Sequence, residues 1–128
     1  MLNTDETLPG NDAFRQALDA LGYAVWIHDK TTIRYANPAG LRLLNASDPS
    51  DVTGKPHADF VHPDSKSAGK ERRKMLFEHG QSLEGVPIKL VDCQGEILYL
   101  RGDAAPITVD DKVYVLAASW PDHLQDRR

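Results

Sequence analysis

The sequence predicts an α+β fold: a five-stranded antiparallel sheet with short helices on one face and an N-terminal flanking helix. Three observations predict it. Two compact runs rich in branched and aromatic residues, "AVWIHD" and "TIRYAN", stand close together early in the chain. Three further strand-like runs, "LEGVPIKLV", "GEILYLRGDAAPI" and "KVYVLAASW", follow one another near its end. Between the two groups lies a stretch of helix starts, polar loops and one longer helix.

The chain of 128 residues is the size of one domain, with 41% hydrophobic and 27% charged residues, the apolar content of a folded protein. Nineteen acidic against fifteen basic side chains give a net charge of -4, which argues against a general binder of phosphate backbones, so nucleic acid is not expected as a partner. Cys93 is the single cysteine and excludes an intrachain disulfide framework or a cysteine-rich zinc site. The opening "MLNTDETLPG" lacks the basic-then-apolar order of a signal peptide, and no run approaches the ~18 apolar residues of a spanning helix. No membrane association is expected, and a cytoplasmic location follows as the default. "NAS" at Asn45 matches a glycosylation sequon, read as chance without a secretory signal.

Each element has local grounds. Residues 1–10 form a polar tail, and 11–22 a short amphipathic helix with Phe14, Ala17, Leu18 and Leu21 at helical spacing, Asn11 at its cap and Gly22 at its stop. "DKTT" joins the first two strands as a hairpin. In "NPAGLRLLN", Asn37 caps a helix whose first position is Pro38; Gly40 inside it costs roughly 1 kcal/mol against alanine, and Asn45 suits a left-handed exit. A longer helix is expected from about Asp64 to His79, with Ala68, Met75 and Leu76 supplying its apolar face and Gly80 its stop. In the last three strands, Val86, Ile88 and Leu90 share a buried face, and so do Leu98, Leu100, Gly102 and Ala104. The opposite face of the latter strand is half apolar, and the N-terminal helix is its candidate cover, in this chain or in a partner. The turns are "DCQG" and "TVDD".

That order of elements, with "AVWIHDKTTIRYANPAGLRLL", "VTGKPHADFVHPDS" and "DCQGEILYLRGDAAPI", resembles the PAS family of sensory domains. The resemblance covers about Tyr23 to Trp120, so residues 23–120 are read as a PAS-like sensor domain and 121–128 as a C-terminal tail. It implies a signalling module whose sheet and helices enclose a small-ligand pocket, often paired as a dimer through a helix ahead of the first strand. It also implies an effector such as a histidine kinase, cyclase or regulator. The chain departs from the family at "SWPDHLQDRR", where an Asp-Ile-Thr type tripeptide often begins the connection to an effector.

"HADFVHPDS" packs two histidines and two aspartates into nine residues, inviting a metal reading with His57, Asp59, His62 and Asp64. The spacing argues against it: His57 and His62 are five apart, not four, and Pro63 follows directly. The stretch is read as a short turn ending where a helix starts, with Asp64 facing the positive helix end, and no metal site is assigned. A haem-binding relative would carry its ligand histidine within the long helix, where this chain has "SKSAGKERRK". Cys93 lies in a turn, away from the place of a flavin-reactive cysteine, so no cofactor is required by the sequence; a haem-binding sensor stays as a remote alternative, and non-covalent flavin has no support in the residues. "KERRK" is read as a solvated face. No catalytic signature is present, so no enzyme activity is expected; Asp103 keeps a residual reading as a proton-transfer group.

The expected pocket is lined by Ile27, Tyr35, Phe60, Met75, Leu76, Ile88 and Leu100 and takes a small apolar or aromatic ligand. The expected homodimer interface is Phe14, Leu18, Leu21 and Trp26, with Trp26 on the outer sheet face. The competing reading is a ligand-free dimerisation or protein-interaction domain whose pocket is filled by its own side chains.

Overall fold

The computed structural model describes residues 12–123. The expected tail 1–10, the cap Asn11 and residues 124–128 of the expected C-terminal tail lie outside the described residues. Helix α1 is Asp12–Asp19, followed by strands β1 (Ala24–His28) and β2 (Ile33–Ala36), helix α2 (Pro38–Leu43) and helix α3 (Pro63–His79). Strands β3 (Leu83–Val91), β4 (Ile97–Val109) and β5 (Lys112–Pro121) complete one antiparallel sheet in the order β2-β1-β5-β4-β3.

Turn chemistry sets the strand connections. The Asp29 carboxylate accepts from the amides of Thr31 and Thr32 and from Arg34 Nε, closing the β1–β2 turn. Burial alone would raise its pKa, but these donors and the Arg34 charge hold it below the usual carboxylate range. Asp92, buried at the β3–β4 turn, likewise accepts from the amides of Gln94 and Glu96 and from Asn45 Nδ2. Asp110 and Asp111 both take positive φ (50° and 66°), the two-residue hairpin geometry whose twist matches that of the strands. Pro87 is tolerated because β3 is an edge strand.

The helices start and stop where their local chemistry dictates. Asn37 caps α2 by accepting from Gly40 N, and Asn45 leaves that region at φ 55°. His57–Phe60 forms one 3₁₀ turn, and His62 caps α3 by accepting from Asp64 N on its ring Nδ1, with Pro63 at the first helical position. Gly80, at φ 62°, ends α3 in the left-handed conformation. The apolar face of α3 differs from expectation: Ala68 is exposed, whereas Gly69 and Leu76 are buried and Arg72, Arg73 and Phe77 are half-buried.

Helices and loops cover the inner face of the sheet, while α1 covers the outer face over β1, β2 and parts of β4 and β5 and leaves Ile97, at the other end of β4, exposed. On the inner face Ala24, Trp26, Ile33, Leu90 and Leu100 pack with Leu44, Val52, Phe60 and Val61. On the outer face Val25, Ile27, Tyr35 and Tyr114 pack with Leu18 and, less completely, Phe14 of α1. Eight residues do not sustain an isolated helix, so docking holds α1 in place; a fully buried leucine such as Leu18 contributes roughly 1.5–3 kcal/mol. Within the described residues the cover of the outer face therefore comes from the same chain. Asn37, fully buried, joins the layers: its Oδ1 accepts from Val25 N and Gly40 N, and its Nδ2 donates to Leu18 O and Tyr23 O. Tyr35, beneath α1, donates its hydroxyl to the Asp19 carboxylate; burial first, and that carboxylate second, push its pKa upward.

Candidate ligand cavity

Between the inner sheet face and the helices lies a cavity of about 140 Å³. Trp26 of β1, Ile33 of β2, and Val86, Ile88 and Leu90 of β3 supply its sheet wall. Leu44, Phe60 and Val61 close it from the helical side. The volume is close to the ~150 Å³ apolar hole that holds benzene in a well-studied protein, and well below the ~300–1,000 Å³ of drug-sized sites. Haem and flavin do not fit it as it stands.

One part of the wall is polar. His28, His57, Arg72, Asp103 and Ser119 all border the cavity. His28 reaches it because it shares the inward parity of Ala24 and Trp26 along β1. His57 reaches it from the 3₁₀ turn, and the two rings lie 4.5 Å apart between centroids, tilted by 36°. Phe77 of α3 flanks His28 at 6.1 Å. His28 Nδ1 donates to the Asp29 carbonyl at 2.7 Å, and His57 Nε2 donates to the Lys30 carbonyl at a longer 3.4 Å. Burial is the main force lowering the pKa of His28, with the Arg73 charge adding to it. The pKa of His57 is pushed down to about 4, first by burial and then by His28 and Arg73. Both rings are neutral near pH 7. Arg72 donates to the Pro87 carbonyl at 2.6 Å, and Asp103 accepts from Gly85 N at 2.8 Å where β3 bulges.

The structure brings Phe60 and Ile88 of the expected pocket set to the cavity wall, while Leu100 lies in the inner core cluster without bordering the cavity. Ile27 and Tyr35 require correction. They pack on the outer face under α1: β1 runs with the opposite parity to that expected and Tyr35 pairs with Ile27, while a bulge in β2 between Tyr35 and Ile33 sets Ile33, opposite His28, on the inner face. Trp26 is corrected in the same way: it is buried at the cavity and takes no part in an outer surface. Met75 is 37% exposed, and Leu76 is buried but borders no part of the cavity. Of the other residues assigned to a dimer contact, Leu18 is buried in its own chain, Phe14 is half-buried there and Leu21 is exposed.

The polar residues at the cavity were missed or read otherwise. "KERRK" is not wholly a solvated face, since Arg72 turns inward. His28 was recoverable from the alternation of β1 once Trp26 is placed inward; the inward turn of His57 has no periodic signal. His62 is a helix cap, and among the described residues no three histidine, cysteine or carboxylate side chains cluster as metal ligands. Cys93 is exposed, and burial, Asp51 and Asp92 raise its thiol pKa, which disfavours a reactive thiolate. No helix among the described residues is long and apolar enough to cross a membrane.

Comparison with known proteins gives a family. The model of the PAS fold matches residues 12–118. The PAS domain of nitrogen regulation protein NR(II) from Vibrio parahaemolyticus is similar, with a TM-score of 0.70 at 20% identity over 88% of this chain and 100% of that one. The PAS domain of an HTR-like protein from Haloarcula marismortui gives 0.71 at 14% identity over 86% and 89%. Drosophila melanogaster Cycle PAS-B with bound ethylene glycol gives 0.68 at 11% identity over 77% and 99%. At these identities the structures speak to the fold. No curated protein sequence matches the chain. No enzyme family is indicated. With the family model spanning both the sheet and the helices that enclose the cavity, the chain belongs to the PAS family of sensory domains.

Proposed function

We infer that this PAS domain senses a small, largely apolar or aromatic molecule in the cavity beneath Trp26 and passes its occupancy to a partner effector. One observation carries the reading. Trp26, in the cavity wall, alternates along a single five-residue strand with Val25 and Ile27, the seat of helix α1 on the opposite face. A shift of β1 on filling the cavity thus acts directly on α1, and Asn37, bonded to both Val25 and Leu18, adds a second link. A ligand that binds better with α1 in one arrangement shifts the population toward it.

The output is assigned to a histidine kinase, cyclase or regulator, reached through α1 or through pairing of two copies. Pairing through the face expected from sequence would require α1 to leave its own sheet, because Leu18 is spent there. The second reading, a ligand-free interaction domain, draws on the small size of the cavity. Native mass spectrometry and an absorption spectrum of the purified chain, followed by hydrogen exchange of α1 with and without any retained molecule, separate the two. A retained small molecule whose removal changes exchange at α1 supports sensing. Repeated absence of any ligand, with association intact, favours the interaction domain.

A further inference from the structure

We propose that the cavity selects a single-ring ligand that donates a hydrogen bond, of the phenol class, and that His28 and His57 accept it. This rests on the ligand-sensing reading above and narrows it to a chemical class. A carbonyl oxygen only accepts, so the ring nitrogen facing Asp29 O in His28 and the one facing Lys30 O in His57 each carry a proton. In a neutral imidazole the other nitrogen is then a lone pair, which leaves Nε2 of His28 and Nδ1 of His57 as acceptors. Neither atom is sealed from a small probe, and both rings border the cavity.

The charge around the cavity agrees with a neutral donor. Asp103 borders the same space and disfavours an anionic group, while Arg72 already commits one of its donors to the Pro87 carbonyl. A cation is opposed by Arg72 and by Arg73, which lies close enough to act on both histidines. The volume of about 140 Å³ limits the ligand to one ring, which the walls of Trp26, Ile33, Phe60 and Ile88 hold by apolar contact. A hydroxylated ring entering there satisfies acceptors that a plain hydrocarbon would leave dry and unpaired.

The test titrates phenol, toluene and benzoate separately into the intact chain at neutral pH, following ligand-induced amide shifts around Ala117 and Ser119 by NMR. Phenol is expected to bind about tenfold tighter than toluene, the scale of one satisfied hydrogen bond, and benzoate more weakly than phenol. His57→Phe, which keeps a flat ring without the acceptor, is expected to reduce that preference severalfold. Because the three-ligand comparison uses the unmodified chain, it stands even where the variant folds poorly. Toluene equal to or tighter than phenol overturns the donor selection while leaving the cavity a ligand site. Benzoate binding tightest overturns it in favour of Arg72 as the recognising group. Saturation by none of the three at the cavity overturns this proposal, and the native mass spectrometry above then decides the sensing reading separately.

Discussion

Asn37 Nδ2 donates to the carbonyl oxygen of Leu18 at 2.9 Å, so that one fully buried side chain inside the fold holds the last turn of the helix lying outside the sheet. The same side chain caps α2 and pairs with the amide of Val25, so three elements share it. Asn37→Ala removes four hydrogen bonds and leaves buried backbone groups unpaired. A loss of about 3 kcal/mol in urea-unfolding stability is expected, with the amides of α1 exchanging faster than those of the central strands. Uniform loss of protection across the chain, without a larger effect in α1, would argue against the link.

Gly40 lies under Trp26. A Cβ at this position would sit 2.9 Å from two carbons of the indole ring and 3.2 Å from Asn37 Oδ1. Helix propensity alone favours alanine here by roughly 1 kcal/mol, but overpacking a buried ring costs typically 1–3 kcal/mol, and the only relief is to push the indole out of its packing toward the cavity it lines. Gly40→Ala is expected to destabilise by about 1 kcal/mol net and to change the near-ultraviolet signal of Trp26. A stabilised variant would show that Trp26 shifts readily into the cavity.

The histidine pair makes stability depend on mildly acidic pH. The folded state keeps His57 neutral down to about 4, whereas an unfolded histidine takes up its proton near 6.5. Between those values the unfolded chain holds more protons, so this contribution is fully present above about pH 6.5 and is lost as pH falls toward 4. Solvent reaches the ring, so the full shift is discounted to roughly 1–2 kcal/mol. His28 adds in the same direction. Asp29, depressed from 3.8, acts only below that window. Urea midpoints from pH 7 to 4.5 should fall for the wild type and flatten in His57→Phe; equal slopes would remove His57 as the cause.

Phe14 tests where α1 packs. Because Phe14 lies against the outer cluster of its own chain, Phe14→Asp is expected to lower stability by about 1–2 kcal/mol and to free α1 to exchange. Sedimentation gives the association state of the same variant. A change of association with no loss of stability would place Phe14 in an interface between copies instead.

Much of the fold was legible. Asn37-Pro38 announced a helix start, Asn45 and Gly80 announced left-handed exits, and the alternation of Val86, Ile88 and Leu90 marked the inner face of β3. Each of those signals is local: a cap, a turn or a period of two is decided by neighbours within a few residues. Gly40 is the instructive exception, since as an isolated helix residue it reads as a cost and in the fold it is the space Trp26 occupies.

By itself the sequence determined the family, the order of elements, their boundaries to within a few residues and the absence of any recognisable catalytic motif. It could not determine which face of β1 and β2 looks into the cavity. In "AVWIH" every position is apolar or aromatic until His28, because α1 covers one face and the helices the other, so alternation carries no contrast between buried and solvated. Only the tertiary structure sent Trp26 inward and Ile27 outward, through the pairing of Trp26 with Ala117 and Ile27 with Leu116 on β5. The same pairing turns His28 inward to meet His57, from a turn 29 residues along the chain, an encounter that no local spacing encodes.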